Sequence, residues 1–153
     1  MNMQTGKTLS VAETALCDAY DQAIGELPGD GAVLAARDVL ISDFKEAGLP
    51  TRRVEAWHYT DLKALLRAVP AFDPAASADR IEPLVEGASV LSVVNGVADK
   101  RASADGVTVT RFADALLDGT AAAGLVARVA DVTIGRLKGA LVHDGFVLAI
   151  SPG

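Results

Sequence analysis

The sequence holds one cysteine and two histidines in 153 residues. Cys17 therefore has no intrachain disulfide partner. No C-x-x-C and no H-E-x-x-H occurs, so local spacing supplies no metal site. A G-x-S-x-G is missing as well, and no Ser–His or Cys–His pairing marks a nucleophile. Positive charge is in deficit, with 14 basic against 20 acidic residues and a net charge of -6. That balance argues against a broad phosphate-binding surface, since nucleic-acid affinity rests on clustered Lys and Arg. No apolar run is long enough to span a membrane, and residues 1–10 lack the apolar core of a signal peptide. These absences make the cytoplasm the expected compartment. Aromatics supply only 5% of the chain. Each large ring therefore matters more, because a Trp or Tyr buries a large area when it packs.

The length of 153 residues is enough for one domain or two small ones, and half of the residues are hydrophobic. Ser10-Val11-Ala12-Glu13 reads as a capping box that opens a helix over residues 11–27. Its apolar stripe is Leu16, Tyr20, Ala23, Ile24 and Leu27. Pro28-Gly29-Asp30-Gly31 ends it, and Asp30 or Gly31 starts a second helix. Val33, Ala36, Leu40, Phe44 and Ala47 share one face there, and Gly48 with Pro50 stops it. Thr60 is the expected N-cap of a third, shorter helix with Leu62, Leu65 and Leu66, closed by Pro70.

Residues 71–80 read as a linker. The period then changes. Residues 89–94 predict a strand, Asn95-Gly96 a type I′ hairpin turn, and Val97-Ala98 the return strand. Residues 106–110 predict a further strand. Phe112–Leu117, Ala121–Val129 and residues 136–143 predict helices. Asp144-Gly145 turns into a final strand, Phe146-Val147-Leu148-Ala149-Ile150. Such a late apolar strand either closes a sheet or begins one that continues. The expected class is α+β: a helical region over 1–70, a linker over 71–80 and a small mixed α/β region over 81–153.

Few residues invite a chemical reading. Gly6-Lys7-Thr8 mimics the end of a P-loop, but Met1 holds the place of the first glycine and no strand precedes it. Cys17 lies in a helical pattern and reads as a buried, inert thiol. Glu13, Asp18, Asp21 and Glu26 read as a solvated helix face. His143-Asp144 reads as a helix end. Gly135 and Gly139 form a G-x-x-x-G in a segment too short and charged for a membrane dimer. Arg52, Arg53, Lys63 and Arg67 form a local basic patch that Glu55 and Asp61 dilute. Within it stand Trp57, His58 and Tyr59. These rings can fill a gap between packed helices, anchor a partner or touch a ligand.

The string around them, Gly48-Leu49-Pro50-Thr51-Arg52-Arg53-Val54-Glu55-Ala56-Trp57-His58-Tyr59-Thr60-Asp61-Leu62, is the most distinctive in the chain. It resembles the G-L-P-T-[RK]-[RK]-x-E-x-W-[KH]-Y-T-[DN]-L signature near the amino end of the SufD branch of the SufB/SufD family. Those proteins belong to the SufB–SufC–SufD scaffold for iron–sulfur cluster assembly. Asn95-Gly96, Gly106-Val107-Thr108-Val109 and Asp144-Gly145-Phe146-Val147-Leu148-Ala149-Ile150 resemble further family segments in the same order. His58 stands where Lys is common. Family members are much longer, with a central right-handed β-helix that pairs the two scaffold subunits and a carboxyl-terminal region that docks the ATPase SufC. The resemblance thus implies an amino-terminal part of such a subunit, ending near the start of the β-helix. It implies SufB-like and SufC-like partners, no nucleic acid and no membrane. It also implies no catalysis by this part, no catalytic, cofactor or metal residues in it, and an iron–sulfur cluster handled by the intact complex. The competing expectation is a self-contained helical adaptor anchored on Trp57 and Tyr59.

Overall fold

A computed structural model describes residues 8–79, 81–125 and 133–150. The elements run α1 (Val11–Ala23), α2 (Gly31–Ala47), a 3-10 turn (Glu55–Trp57), α3 (Leu62–Leu65), β1 (Val93–Val94), β2 (Val97–Ala98), β3 (Val107–Arg111), α4 (Phe112–Leu117), α5 (Ala122–Leu125), α6 (Thr133–Leu141) and β4 (Phe146–Ile150). Helices with small antiparallel sheets make the class α+β.

Each of the long helices starts where a side chain can satisfy an orphan amide. Ser10 Oγ accepts from the Glu13 amide, and the Glu13 carboxylate in return accepts from the Ser10 amide, which completes the capping box. Asp30 Oδ1 accepts from the Val33 amide at 2.8 Å. Helix α1 ends at Ala23, earlier than its stripe suggests, but Leu27 still turns inward and is buried. Gly48 stops α2 with φ +67°, and its amide bonds the Phe44 carbonyl. The third helix begins one residue later than expected. Asp61, not Thr60, accepts from the Ala64 amide at 3.0 Å. Leu62 and Leu66 face the core while Leu65 is 67% exposed.

Asn95 and Gly96 both take positive φ, 45° and 78°, which the two-residue turn between β1 and β2 requires. The strand expected over 89–94 shrinks to Val93–Val94; residues 81–90 lie exposed and, among the described residues, have no ladder partner to hold them extended. β3 and β4 pair antiparallel from Val107 opposite Ile150 to Arg111 opposite Phe146. The helix expected over Ala121–Val129 is described only as Ala122–Leu125; its remainder lies outside the described residues, as do Gly6 and Lys7.

One core joins the amino-terminal helices to the later ones. Ala12, Leu16, Tyr20, Val33, Leu40, Ile41, Phe44 and Leu49 are buried together with Leu116, Leu125 and Ala140. Helix α6 therefore completes the core of α1 and α2, across the linker in sequence. The contact is close because Gly139 carries no side chain: a Cβ there would sit 2.7 Å from the Leu125 carbonyl oxygen and 2.7 Å from Leu40 Cδ1.

Arg37 is the unexpected member of this core. It is fully buried on the inner face of α2, where the apolar stripe predicts only hydrophobic residues. Its Nη1 donates to the carbonyls of Ala140 (2.8 Å) and Gly139 (3.3 Å), its Nη2 to those of Pro28 (2.8 Å) and Val142 (2.9 Å). These include carbonyls at the end of α6 that the helix cannot satisfy itself. The cation also meets the negative end of the helix dipole. Burial lowers the Arg37 pKa from its ordinary value; the carbonyl cage offsets part of that cost.

Candidate functional site

The segment 48–63 is a turn with a buried floor and an exposed rim. Gly48, Leu49 and Pro50 are buried. From there the chain rises through a bond from the Val54 amide to the Thr51 carbonyl, then through the 3-10 turn, where the Trp57 amide bonds the Val54 carbonyl at 2.8 Å. The Thr60 amide returns to the Trp57 carbonyl, and the Lys63 amide to that of Pro50. These backbone bonds close the turn onto itself.

Its floor is fastened by one carboxylate. Glu13 has no exposed surface. Its Oε1 accepts from the Leu49 amide at 2.7 Å, and its Oε2 meets the Ser10 amide at 2.6 Å and Lys63 Nζ at 2.9 Å. A reading of Glu13 as part of a solvated face is therefore corrected. The residue faces the turn, and every neighbour of its oxygens comes with a hydrogen to donate. Burial alone would raise its pKa; the Ser10 amide, Lys63 and the Leu49 amide outweigh that and hold it down at about 2. The same pair withdraws Lys63 from the basic patch.

On the rim the rings point away from the core. Tyr59 is 92% exposed. His58 is exposed too and stands edge-on to the Tyr59 ring, with centroids 4.8 Å apart and planes at 83°. Trp57 is half-buried, and none of these three rings belongs to the core cluster. The turn does tie α1 and α2 to α3, but through Glu13 and the backbone. Arg52, Arg53 and Arg67 are exposed. Among the described residues neither Arg52 nor Arg53 pairs with a carboxylate, unlike Lys63.

A second polar knot lies at the start of β4. Asp144 is 8% exposed. Its carboxylate accepts from the Ala98, Ala113 and Gly145 amides and pairs with the Arg111 guanidinium. It thus binds β2, β3, α4 and β4 together and supplies the cap that α4 lacks locally. Burial would raise its pKa, and Arg111 with these amides lowers it below the ordinary value. Next to it, His143 stacks on Phe72 of the linker, with centroids 4.1 Å apart and planes at 18°. Burial, then the Arg37 charge, lowers the His143 pKa. His143-Asp144 does follow α6, yet its work is to join segments distant in sequence.

Cys17 is buried, and burial raises its pKa, so the thiol stays protonated and inert at neutral pH. Gly139 spends its missing side chain on helix packing inside the chain. Among the described residues no group of three or more His, Cys, Asp or Glu converges as a metal site would require, and no helix is long and apolar enough to cross a membrane. Sequence reasoning missed Arg37 and Glu13. A charge at a core position of α2's stripe was the available signal for Arg37; for Glu13, the capping box placed its carboxylate at the helix start without showing what else lay there.

In comparisons with known proteins, no family model, no curated protein and no solved structure matches the chain.

Proposed function

We propose that this chain is the amino-terminal part of a SufD-like subunit of an iron–sulfur assembly scaffold, acting in the cytoplasm. The reading rests on one observation, the residue string from Gly48 to Leu62. No family model carries it. In this reading the chain catalyses nothing itself. A SufC-like ATPase supplies the energy, a SufB-like subunit pairs with the β-helix, and the cluster is cargo of the assembled complex. Two features of the fold fit that role. The turn 48–63 presents rings and arginines outward from a fastened floor. Strand β4 is apolar throughout yet exposed along Val147, Leu148 and Ile150, a composition suited to a strand covered on both faces, as the start of a β-helix would be.

The test is an antibody pull-down from the source cells, read by mass spectrometry. The expected recovery is this sequence together with an ABC-type ATPase and a SufB-like protein. Recovery of the chain without these partners overturns the reading.

A second reading, favoured by the 92% exposure of Tyr59, is a helical adaptor that binds a protein through Trp57 and Tyr59. It expects partner binding to fall in Trp57→Ala while the melting temperature holds. The scaffold reading expects the partner set to survive that substitution, because its main contacts lie in the β-helix.

A further inference from the structure

We propose that Phe72 and His143, with Asn95 beside them, form a clasp that holds the linker as a wall of a cleft at neutral pH. The clasp opens when the His143 imidazole takes up a proton from solvent. It stands apart from both functional readings above, which invoke neither ring.

The geometry of the linker carries it. Residues 71–79 form neither helix nor strand. Their amino end is tied to later parts of the chain at two adjacent residues. The Phe72 ring lies on the His143 ring, with planes at 18° and centroids 4.1 Å apart. It also reaches the hairpin turn, where a Cβ on Gly96 would come within 3.8 Å of Phe72 Cε2. At the next residue, Asn95 Nδ2 donates to the Asp73 carbonyl at 2.6 Å. Phe72 is 47% exposed and lies outside the core cluster, so packing of ring on ring holds it and core burial does not. Beyond the clasp, Pro74, Ser77 and Asp79 of the linker join Val94, Val97 and Asp99 of the hairpin segment in lining a cleft of about 950 Å³. The far end of the linker runs into residues 81–90, all of them exposed. Release at Phe72 therefore frees a wall of the cleft and widens it.

The proton acts through hydration of the imidazole. Burial disfavours a charge on this ring, and Arg37 of α2 disfavours it further; Asp144, next in the chain, opposes them. The Asp144 carboxylate is already engaged by Arg111 and by the Ala98, Ala113 and Gly145 amides. On the linker side, Asp73 turns its carboxylate to the Ala75 amide. The balance lowers the His143 pKa, so the neutral ring belongs to the clasped form. The clasp is complete above pH 6.5 and weakens as pH falls below it. Once Phe72 lifts, water reaches the ring and the charge is easier to carry. A cation–π attraction between the imidazolium and Phe72 would act with the opposite sign, which makes the sign itself measurable.

The experiment is a nuclear magnetic resonance titration of the full chain between about pH 8 and pH 5. It is repeated on Phe72→Ala and on His143→Leu, with circular dichroism to confirm that each is folded. In the unsubstituted chain, Overhauser contacts between the Phe72 and His143 rings should fade as the imidazole protonates. The backbone amides of residues 72–79 should shift along the same curve, and His143→Leu should abolish that shift. Binding linkage is reciprocal, so Phe72→Ala should raise the His143 midpoint. The proposal is overturned if the ring contacts persist through the His143 titration, or if residues 72–79 respond equally in His143→Leu. It is equally overturned if the midpoint in Phe72→Ala stays the same or falls.

Discussion

A carboxylate with no exposed surface, two backbone amides and an ammonium on its oxygens stays ionised far into acid. That is the state of Glu13, whose pKa falls from 4.5 to about 2 on folding. The depressed value means that the unfolded chain binds the proton more readily. Its stabilisation is therefore complete above pH 4.5 and is lost as pH falls toward 2, a loss of about 3 kcal/mol by linkage. Glu13→Gln should remove most of this acid limb from urea unfolding midpoints measured across that range. Because the same carboxylate seats the turn, the variant should also shift the fluorescence of Trp57, the only tryptophan, toward the red. An unchanged emission would show that the turn holds without Glu13. Arg37 makes a parallel case with the opposite charge. Four carbonyls lean on its guanidinium. Arg37→Leu should cost about 3 kcal/mol or more, since buried carbonyls lose charged donors. Arg37→Lys should recover only part of it, because an ammonium cannot span both pairs of acceptors. Denaturant midpoints of the two variants decide this.

Between elements, the fit is set by what is missing from side chains as much as by what they add. At Gly139 alanine would favour the helix by about 1 kcal/mol on propensity alone. Here its Cβ would strike the Leu125 carbonyl and Leu40. Gly139→Ala should therefore destabilise by about 1–3 kcal/mol, read as a lower melting temperature; a gain in stability would mean that α6 can move off α2. The G-x-x-x-G was visible in the sequence, but the use of Gly139 was not, because close approach depends on what lies opposite. The hairpin shows the contrary case. Asn95-Gly96 specifies its own turn through backbone sterics alone, and the two positive φ values follow from the dipeptide. Capping was local in the same sense at Ser10 and Asp30. It failed by one residue at Thr60, where the neighbouring Asp61 offers the better acceptor.

At the scale of the molecule, α1 and α2 share a core with α4, α5 and α6. The chain segments before and after the linker are then expected to unfold together. Urea denaturation followed by Trp57 fluorescence and by far-ultraviolet circular dichroism should give coincident single transitions. A peptide of residues 1–70 should lack the cooperative transition, because it loses Leu116, Leu125 and Ala140 from its core. Two separated transitions would refute a common core. The pH response belongs to this scale too. His143, lowered by burial, contributes stability that is present above 6.5 and declines as pH falls below it. Loss of the Phe72 stack on its ring would accompany that decline and release the linker. The profile should thus descend in an upper step from His143 and a lower one from Glu13 and Asp144, with the upper step absent in His143→Leu.

Where a residue's role depends only on its near neighbours in sequence, the sequence alone determined it. The capping box, the stop at Gly48, the hairpin turn and the order of helices and strands are of this kind, because backbone sterics and local hydrogen bonds act within a few residues. The tertiary structure alone decided which charges go inside. Glu13 meets Leu49 and Lys63, Arg37 meets the end of α6, and Asp144 gathers Ala98, Arg111 and Ala113. Burying such charges is favourable only when distant donors or acceptors converge on them. That convergence is a property of the packed chain and of no single stretch.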